Sequence, residues 1–270
     1  MNTPTNYFRL WYRQPANKFV ESLPLGNGNQ GSMIFGGIDQ EILWLNENTF
    51  WSGEPSKNSI NPDAIHYLAE IRQLYFQEKY AEAEKLTQKY LTGKQGNYGT
   101  NLPVGKLLIT LNHPSSNYQN YKRELILNES IHRVEYNCDD VKYSRESFIS
   151  NPDGVMVSHF STSQPQKLNL KISFAPISAA ETKQNIFENI IKVWRNLKVG
   201  KTNNNAYTFN SKGSDSFLIN LDARENLHSD GKCGVHAVVG VKIIKDSGEI
   251  RLDNQEMIIE NASSVTVLIS

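Results

Sequence analysis

Hydrophobic and polar residues alternate over short segments through most of the chain after residue 106. Alternation with a period of two places successive side chains on opposite faces of a strand, so each segment predicts a half-buried β-strand. Turn-forming clusters such as residues 112–116 and 151–154 separate the segments, and a short amphipathic helix is predicted over 186–197. Regular short strands are typical of an antiparallel sandwich or barrel. The predicted strands cover residues 106–111, 122–128, 132–137, 141–150, 155–161, 168–174, 206–210, 216–222, 234–244, 248–254, 256–261 and 264–270.

The periodicity becomes helical between residues 61 and 92. Asn61-Pro62-Asp63 predicts a helix start, with asparagine as the N-cap, proline at the first position and an acid near the positive end of the helix dipole. Apolar residues then recur at helical spacing, and a second helix is predicted from about Lys79 to Leu91, ended by Thr92-Gly93. We therefore expect an inserted helical hairpin near residues 62–92, with its apolar faces packed against a sheet.

Before the hairpin, residues 23–53 combine a glycine-rich segment with a polar segment flanked by tryptophans. Five glycines lie between positions 26 and 37, which indicates tight turns and close backbone approaches. Strands are predicted over residues 32–37 and 42–45, and the simplest interpretation is a β-hairpin edge with a glycine-rich turn. Trp44 and Trp51 flank a run of asparagine, glutamate and threonine, a composition that also suits stacking on a polyhydroxylated ligand.

Composition limits the possible functions. The 270 residues suffice for one large all-β domain or two smaller ones. The 28 basic and 28 acidic residues give no net charge, and this balance argues against a nucleic-acid partner. No apolar run is long enough to span a bilayer, so no membrane partner is expected, and the first residues lack the pattern of a signal peptide, which leaves the compartment open. Cys138 and Cys233 cannot form a disulfide framework, the six histidines are scattered, and neither metal nor cofactor is predicted.

No complete catalytic motif can be read from the residues. Residues 26–31 match G-x-G-x-x-G literally but lack a following helix, which argues against dinucleotide binding. Glycoside hydrolysis uses two carboxylates, and four glutamates lie near the glycine-rich stretch: Glu21, Glu41, Glu47 and Glu54. Glu47 is the best candidate for a functional carboxylate because Trp44 and Trp51 could desolvate it, against a structural role in the turn.

Taken together, these motifs resemble the N-terminal domain of glycoside hydrolase family 95, a family of α-L-fucosidases. The resemblance rests on a tryptophan and Pro-Ala before L-P-L-G-N-G, a hydrophobic G-G, and L-N-E-x-T-x-W-S-G. Here these motifs are Trp11 with Pro15-Ala16, then residues 23–28, 33–37 and 45–53. The similarity continues through residues 70–72, 80–83, 121–125 and 143–148, whereas residues 175–230 match poorly and are expected to carry an insertion.

The resemblance implies a mainly β fold, a large antiparallel two-sheet, supersandwich-like β-sandwich that precedes a helical (α/α)6 barrel. It implies that the catalytic residues of this inverting enzyme lie in the barrel, so residues 1–270 would form one N-terminal domain with no catalytic residue. The chain ends at Ser270 within an apolar β run, which suits this expectation. The expected partners are the missing barrel and, through the parent enzyme, a fucosylated oligosaccharide or glycan.

Two roles stay open for the chain. As a support for the barrel, it would place Asn46, Glu47 and Trp51 at the barrel-facing edge, where they are our candidate substrate-binding residues. As the alternative without catalysis, a stand-alone carbohydrate-binding module would present Trp11, Trp44 and Trp51 as possible stacking platforms. An interdomain or oligomer-forming scaffold would instead have no glycan role.

Overall fold

The computed structural model describes residues 8–51, 60–93, 101–177, 206–224 and 234–270. Sixteen β-strands in this part of the chain form two sheets in which all neighbouring strands are antiparallel. The nine-stranded sheet has the order β1 (Arg9–Tyr12), β6 (Tyr118–Ile126), β7 (Ile131–Cys138), β8 (Val141–Ser150), β9 (Val155–Thr162), β16 (Ser264–Ile269), β13 (Gly234–Lys245), β12 (Ser216–Arg224) and β11 (Ala206–Ser211). The seven-stranded sheet has the order β14 (Glu249–Asp253), β15 (Glu256–Ala262), β10 (Leu168–Ala175), β5 (Gly105–Leu111), β4 (Gln40–Glu47), β3 (Gln30–Ile34) and β2 (Leu23–Gly26).

Alternating burial along the strands creates the core between the two sheets. In β5, Leu107, Ile109 and Leu111 are buried whereas the residues between them are partly accessible. Other strands, such as β9 and β16, show the same period and contribute to one hydrophobic cluster. Of the sandwich and the barrel that the alternating pattern allowed, the structure is the β-sandwich that the family resemblance implied, and this prediction is confirmed.

A smaller apolar cluster covers the outer face of the seven-stranded sheet. Trp44 lies on this face, only 7% exposed, with its ring 5.0 Å from that of Phe19 in an edge-on contact. Ala16, Phe35 and Ile177 complete the cluster. Trp44 is therefore a core residue of this second layer, and the hypothesis that it serves as an exposed stacking platform is wrong.

The helical hairpin forms where the periodicity predicts it. Helix α1 covers Ala64–Phe76 and α2 covers Tyr80–Leu86, and a π-helical turn follows over Thr87–Leu91. The N-cap of α1 is Asp63 rather than the predicted Asn61, whose side-chain oxygen instead accepts a hydrogen bond from the Asp63 N–H.

The packing of the hairpin differs from the prediction. Its helices pack mainly on each other, and within the described residues neither makes an extensive contact with a strand. Ile71 and Ala83 are their only buried side chains, while Ile65 and Phe76 are largely exposed. The apolar residues lie on more than one side of these short helices, so helical spacing alone did not define a sheet-facing stripe. None of these helices is both long and apolar enough to span a membrane. The predicted helix over 186–197 and Cys233 lie outside the described residues.

The glycine-rich stretch forms two successive hairpins at one edge of the seven-stranded sheet. The β2–β3 turn contains Gly28, whose φ of 95° is accessible to glycine at little cost. The β3–β4 connection contains Gly37, where an added Cβ would lie 1.9 Å from the carbonyl oxygen of Gln40. Both turns thus require glycine, as the hairpin interpretation predicted.

A buried ion pair links the β3–β4 connection to the opposite sheet. The Glu41 Oε2 atom accepts a 2.8 Å hydrogen bond from Arg145 Nη1, and both side chains are only 3% exposed. Glu41 Oε1 accepts from the N–H groups of Gly36 and Ile42, at 2.8 and 3.0 Å, while Arg145 Nη2 donates to the Gly37 carbonyl at 2.6 Å. Burial raises the pKa of Glu41, and Arg145 and these N–H groups act to lower it. Glu41 is therefore a structural residue of the interior.

Candidate functional site

The segment that ends β4 is a turn organised by Glu47. Its Oε2 atom accepts hydrogen bonds from both the backbone N–H and the hydroxyl of Thr49, at 2.8 and 2.6 Å. A side chain that satisfies the backbone two residues onward stabilises a turn without further secondary structure. The Oε1 atom has no hydrogen-bond partner among the described residues.

The same turn is tied to the glycine-rich hairpin beside it. Asn48 donates a 3.0 Å hydrogen bond from Nδ2 to the carbonyl of Gly28, and its backbone N–H donates to Asn29 O at 2.9 Å. Trp51 donates from Nε1 to the carbonyl of Asn48 at 2.7 Å, while the residue as a whole is 50% exposed. The indole is therefore fixed at its polar end and open to solvent over much of its apolar surface.

Asn27 connects this edge to the opposite sheet. Its Oδ1 atom accepts hydrogen bonds from the N–H groups of Asn29 and Gln30, at 3.0 and 2.8 Å. Its Nδ2 atom donates to the carbonyl of Ser150, at the end of β8, at 3.1 Å. One side chain thus holds the β2–β3 turn and joins the two sheets at this end of the sandwich.

A cleft of about 280 Å³ opens between the sheets next to these turns. The polar residues that line it are Gln30, Asn46, Glu47, Thr49, His236 and Ser270. Apolar residues from both sheets line its interior: Leu45, Phe50, Val104, Ile149, Met156, Val235, Ala237, Val239 and Ile269. An apolar cleft with a few polar groups at its edge is the usual form of a small-molecule site.

The structure brings the three candidate substrate-binding residues to this end of the sandwich, on different faces. Glu47 continues the inner series of Leu43 and Leu45 on β4, whereas Asn46 is exposed and Trp51 lies in the following loop. Trp44 points to the outer face, so the hypothesis that it desolvates Glu47 is wrong. Contact with substrate stays a prediction for all three.

The other carboxylates near the stretch have structural partners. Glu21 accepts hydrogen bonds from the N–H groups of Asn17 and Lys18, at 2.8 and 3.2 Å, and thereby caps a short 3-10 turn. Glu41 is paired with Arg145, and Glu54 lies outside the described residues. Across the described part of the chain, no three His, Cys, Asp or Glu side chains converge to hold a metal ion.

The residue that sequence reasoning missed is Gln30. It lies directly opposite Glu47 in the β3–β4 ladder and lines the same cleft. The register of the hairpin, counted from its glycine turn, could have identified this pair.

Comparison with known proteins places this geometry in a family context. A sequence model described as "Glycosyl hydrolase family 65, N-terminal domain" matches residues 10–270. The chain is 35% identical over 166 residues to "Alpha-L-fucosidase 2" of Arabidopsis thaliana, covering 62% of this chain and 20% of that protein. It is 30% identical over 162 residues to "Probable alpha-fucosidase A" of Aspergillus niger, covering 57% of this chain and 20% of that protein. The chain thus spans about a fifth of the length of these curated relatives.

Among solved structures, a "Putative kojibiose phosphorylase from human microbiome" aligns with 98% of this chain and 32% of its own, with a TM-score of 0.46 and 13% identity. The predicted resemblance to the N-terminal domain of fucosidase-like glycoside hydrolases is confirmed by the sequence matches.

Proposed function

Because the chain belongs to the family of glycosyl hydrolase family 65 N-terminal domains, we propose that it is the N-terminal β-sandwich domain of an inverting α-L-fucosidase. The fucosidase names of the relatives from Arabidopsis thaliana and Aspergillus niger support this substrate class. The parent enzyme hydrolyses terminal α-linked L-fucose from oligosaccharides or glycans. In this proposal residues 1–270 are a single domain, and an (α/α)6 barrel outside this chain performs the reaction.

The supporting role rests on one observation: polar side chains in residues 27–51 form hydrogen bonds with the backbone of the domain itself. Asn27, Asn48 and the indole N–H of Trp51 bind neighbouring backbone atoms, which fixes the edge in one conformation. This rigid edge presents the exposed Asn46 and the half-exposed Trp51 ring outward. A fixed aromatic and amide surface suits contact with the barrel and with a sugar bound at its rim.

Inversion requires an acid that protonates the leaving oxygen and a base that activates water on the opposite face of the sugar. The described carboxylates Glu21, Glu41 and Glu47 are each bound within the sandwich by backbone or side-chain donors. We therefore assign neither role to them. The domain instead holds the edge around Trp51 in place beside the barrel cleft.

Two measurements of fucose release test this proposal. The chain of 270 residues should release no L-fucose from 2′-fucosyllactose above a blank. The longer protein encoded by the uninterrupted reading frame that contains this chain should release L-fucose. Proton NMR of the reaction catalysed by this longer protein should show the β-anomer of fucose first, because hydrolysis with inversion of an α-linkage releases the β-anomer. Turnover by the 270-residue chain, or an α-anomer as the first product, would refute the proposal.

The role of the edge around Trp51 is tested in the same longer protein. Trp51→Ala should raise KM by roughly two- to tenfold, because the loss of one aromatic contact weakens binding by about this factor, with less change in kcat. Trp11→Ala is the matched control, because Trp11 is exposed to a similar extent, 47% against 50%, on β1 of the other sheet. Equal effects of the two substitutions would contradict a specific role for the edge.

A carbohydrate-binding module without catalysis is the second candidate, favoured by the exposure of Trp11 and Trp51. Calorimetric titration of the 270-residue chain with fucosylated glycans discriminates between the roles. Binding that both Trp11→Ala and Trp51→Ala weaken would support stacking platforms, and binding that neither weakens would exclude them.

A further inference from the structure

Two polar side chains occupy inner-face positions where the sandwich would otherwise continue its apolar core. The inner positions of β3 and β4 include the fully buried Ile34 and Leu43 and the nearly buried Leu45. The same faces end in Gln30 and Glu47, which are direct partners across the ladder. Polar groups on the inner face cost stability unless they are bonded, and such local exceptions are typical of functional positions.

The opposite wall of the cleft is mainly apolar, with His236 and Ser270 as its polar residues, and contains one small side chain. Met156 on β9 pairs with Ile149 and with Ile269, so these three residues form a continuous patch. Ala237 and Val239 on β13 extend the lining of the cleft. Since Ala237 is short and only partly buried, a larger side chain at this position would project into the cleft.

The Glu47 carboxylate and the backbone of Gln30 are both held by hydrogen bonds within the protein. Thr49 holds the Oε2 atom of Glu47 with two hydrogen bonds, which orients the carboxylate while Oε1 has no partner among the described residues. The N–H of Gln30 is held by Asn27, which also binds the opposite sheet through Ser150. A fixed acceptor beside an apolar wall binds a ligand with little loss of conformational freedom.

From this geometry we infer that the inter-sheet cleft binds one neutral pyranose ring. Ring hydroxyls donate to Glu47 Oε1 and bond the Gln30 amide, while the C–H face of the ring packs on Met156 and Val239. The carboxylate disfavours anionic ligands, and the apolar wall disfavours strongly hydrated ones. At about 280 Å³ the cleft lies just below the roughly 300–1,000 Å³ of pockets that enclose drug-sized ligands, which suits a single ring.

The inference concerns the sandwich itself and stands apart from the fucosidase reaction. Sugar binding is measured on the 270-residue chain, whereas the proposed function is measured as fucose release by the longer product. A failure of either therefore leaves the other intact.

Methionine methyl groups provide a site-specific probe of the cleft. Of the four methionines, Met156 lines the cleft, Met257 is fully buried in the core and Met33 packs in the outer cluster. The chain is labelled with methyl-13C methionine and titrated with methyl α-L-fucopyranoside, then with methyl α-D-glucopyranoside. The Met156 signal should shift with at least one pyranoside, with a Kd of about 1 mM for so small a ligand, while Met257 stays in place. D-mannitol, which has hydroxyls but no ring, should leave Met156 unchanged.

Paired substitutions on β13 decide whether the shift arises in the cleft. Ala237→Phe should fill the cleft and weaken binding at least tenfold. Ile244→Phe should leave binding unchanged, because the 51% exposed side chain of Ile244 points to the other face of the same strand and does not line the cleft. Gln30→Leu should weaken binding several-fold with the apolar wall intact, and an unchanged Met257 signal shows that each variant is folded.

Three results would overturn the inference. The first is an unmoved Met156 signal with both pyranosides at up to about ten times a millimolar Kd. The second is an equal shift with D-mannitol. The third is unchanged affinity in folded Ala237→Phe.

Discussion

Replacing Glu41 with glutamine tests how strongly the buried ion pair holds the β3–β4 connection to the opposite sheet. Glu41 accepts hydrogen bonds on both oxygens, from Arg145 on one side and from the N–H groups of Gly36 and Ile42 on the other. An amide in this position turns one acceptor into a donor, so either Arg145 or the backbone faces a donor whichever way the amide is rotated. It also leaves the Arg145 charge buried without its counterion.

The expected magnitude follows from burial. Breaking a buried pair by removing one charge costs about 3–5 kcal/mol, whereas an exposed pair contributes about 1 kcal/mol or less. The chain offers a matched exposed pair in Glu135 and Lys142, at 2.7 Å, with both side chains 49% exposed. We therefore expect Glu41→Gln to lower the free energy of unfolding by about 3–5 kcal/mol and Glu135→Gln by less than about 1 kcal/mol.

Urea denaturation followed by circular dichroism measures both changes, and a double-mutant cycle with Arg145→Met isolates the pair. Glu41→Gln combined with Arg145→Met should cost less than the sum of the single variants by about 1–3 kcal/mol, because it leaves no unpaired charge. Equal losses for Glu41→Gln and Glu135→Gln, or strict additivity in the cycle, would refute the reasoning.

Two further predictions concern the same interior. Burial lowers the pKa of His132 to about 3, helped by Arg145 and Arg123, so the unfolded chain binds a proton that the folded chain does not take up between about pH 6.5 and 3. The contribution of this group to the free energy of unfolding should therefore be complete above pH 6.5 and smaller by about 2 kcal/mol at pH 5. The urea midpoints measured at the two pH values should differ less in His132→Gln than in the unchanged protein. An equal difference in both proteins would contradict the assignment. Gly37→Ala should cost more than about 3 kcal/mol, because its Cβ would lie 1.9 Å from the Gln40 carbonyl oxygen, or prevent folding. Gly154→Ala, at a φ of 61° with no atom within 4 Å, should cost only about 1–2 kcal/mol, and comparable melting temperatures for the two would refute the steric argument.

The strands after residue 106 could be predicted because each has one buried and one accessible face. In β5 and β10 this alternation is continuous, and the sequence pattern records it directly. The order of the strands could not be predicted in the same way. Strand β16 lies between β9 and β13, while β10 lies in the other sheet, and no local pattern encodes such long-range pairings.

The candidate site was predicted in position but not in orientation. Trp44 and Glu47 are three residues apart, and on one continuous strand an odd separation places side chains on opposite faces. The predicted strand ended at Leu45, whereas β4 continues to Glu47 and so separates the two side chains. Gln30 was not identified because the strand predicted over residues 32–37 began after it, whereas β3 begins at Gln30 and pairs this residue with Glu47.

Strand β4 carries two carboxylates on its inner face, and their different surroundings explain why only one is a candidate for binding. Glu41 meets Arg145 from the opposite sheet, and each of its two carboxylate oxygens accepts a hydrogen bond from the protein's own donors. Glu47 faces a cleft whose other wall, around Met156, offers apolar side chains, and Thr49 satisfies only one of its oxygens. A carboxylate with a purely structural role in the interior would need donors on that wall, as Glu41 has. The hydrogen bonds seen among the described residues leave Glu47 Oε1 unused, so this oxygen is available to a hydroxylated ligand that enters the cleft.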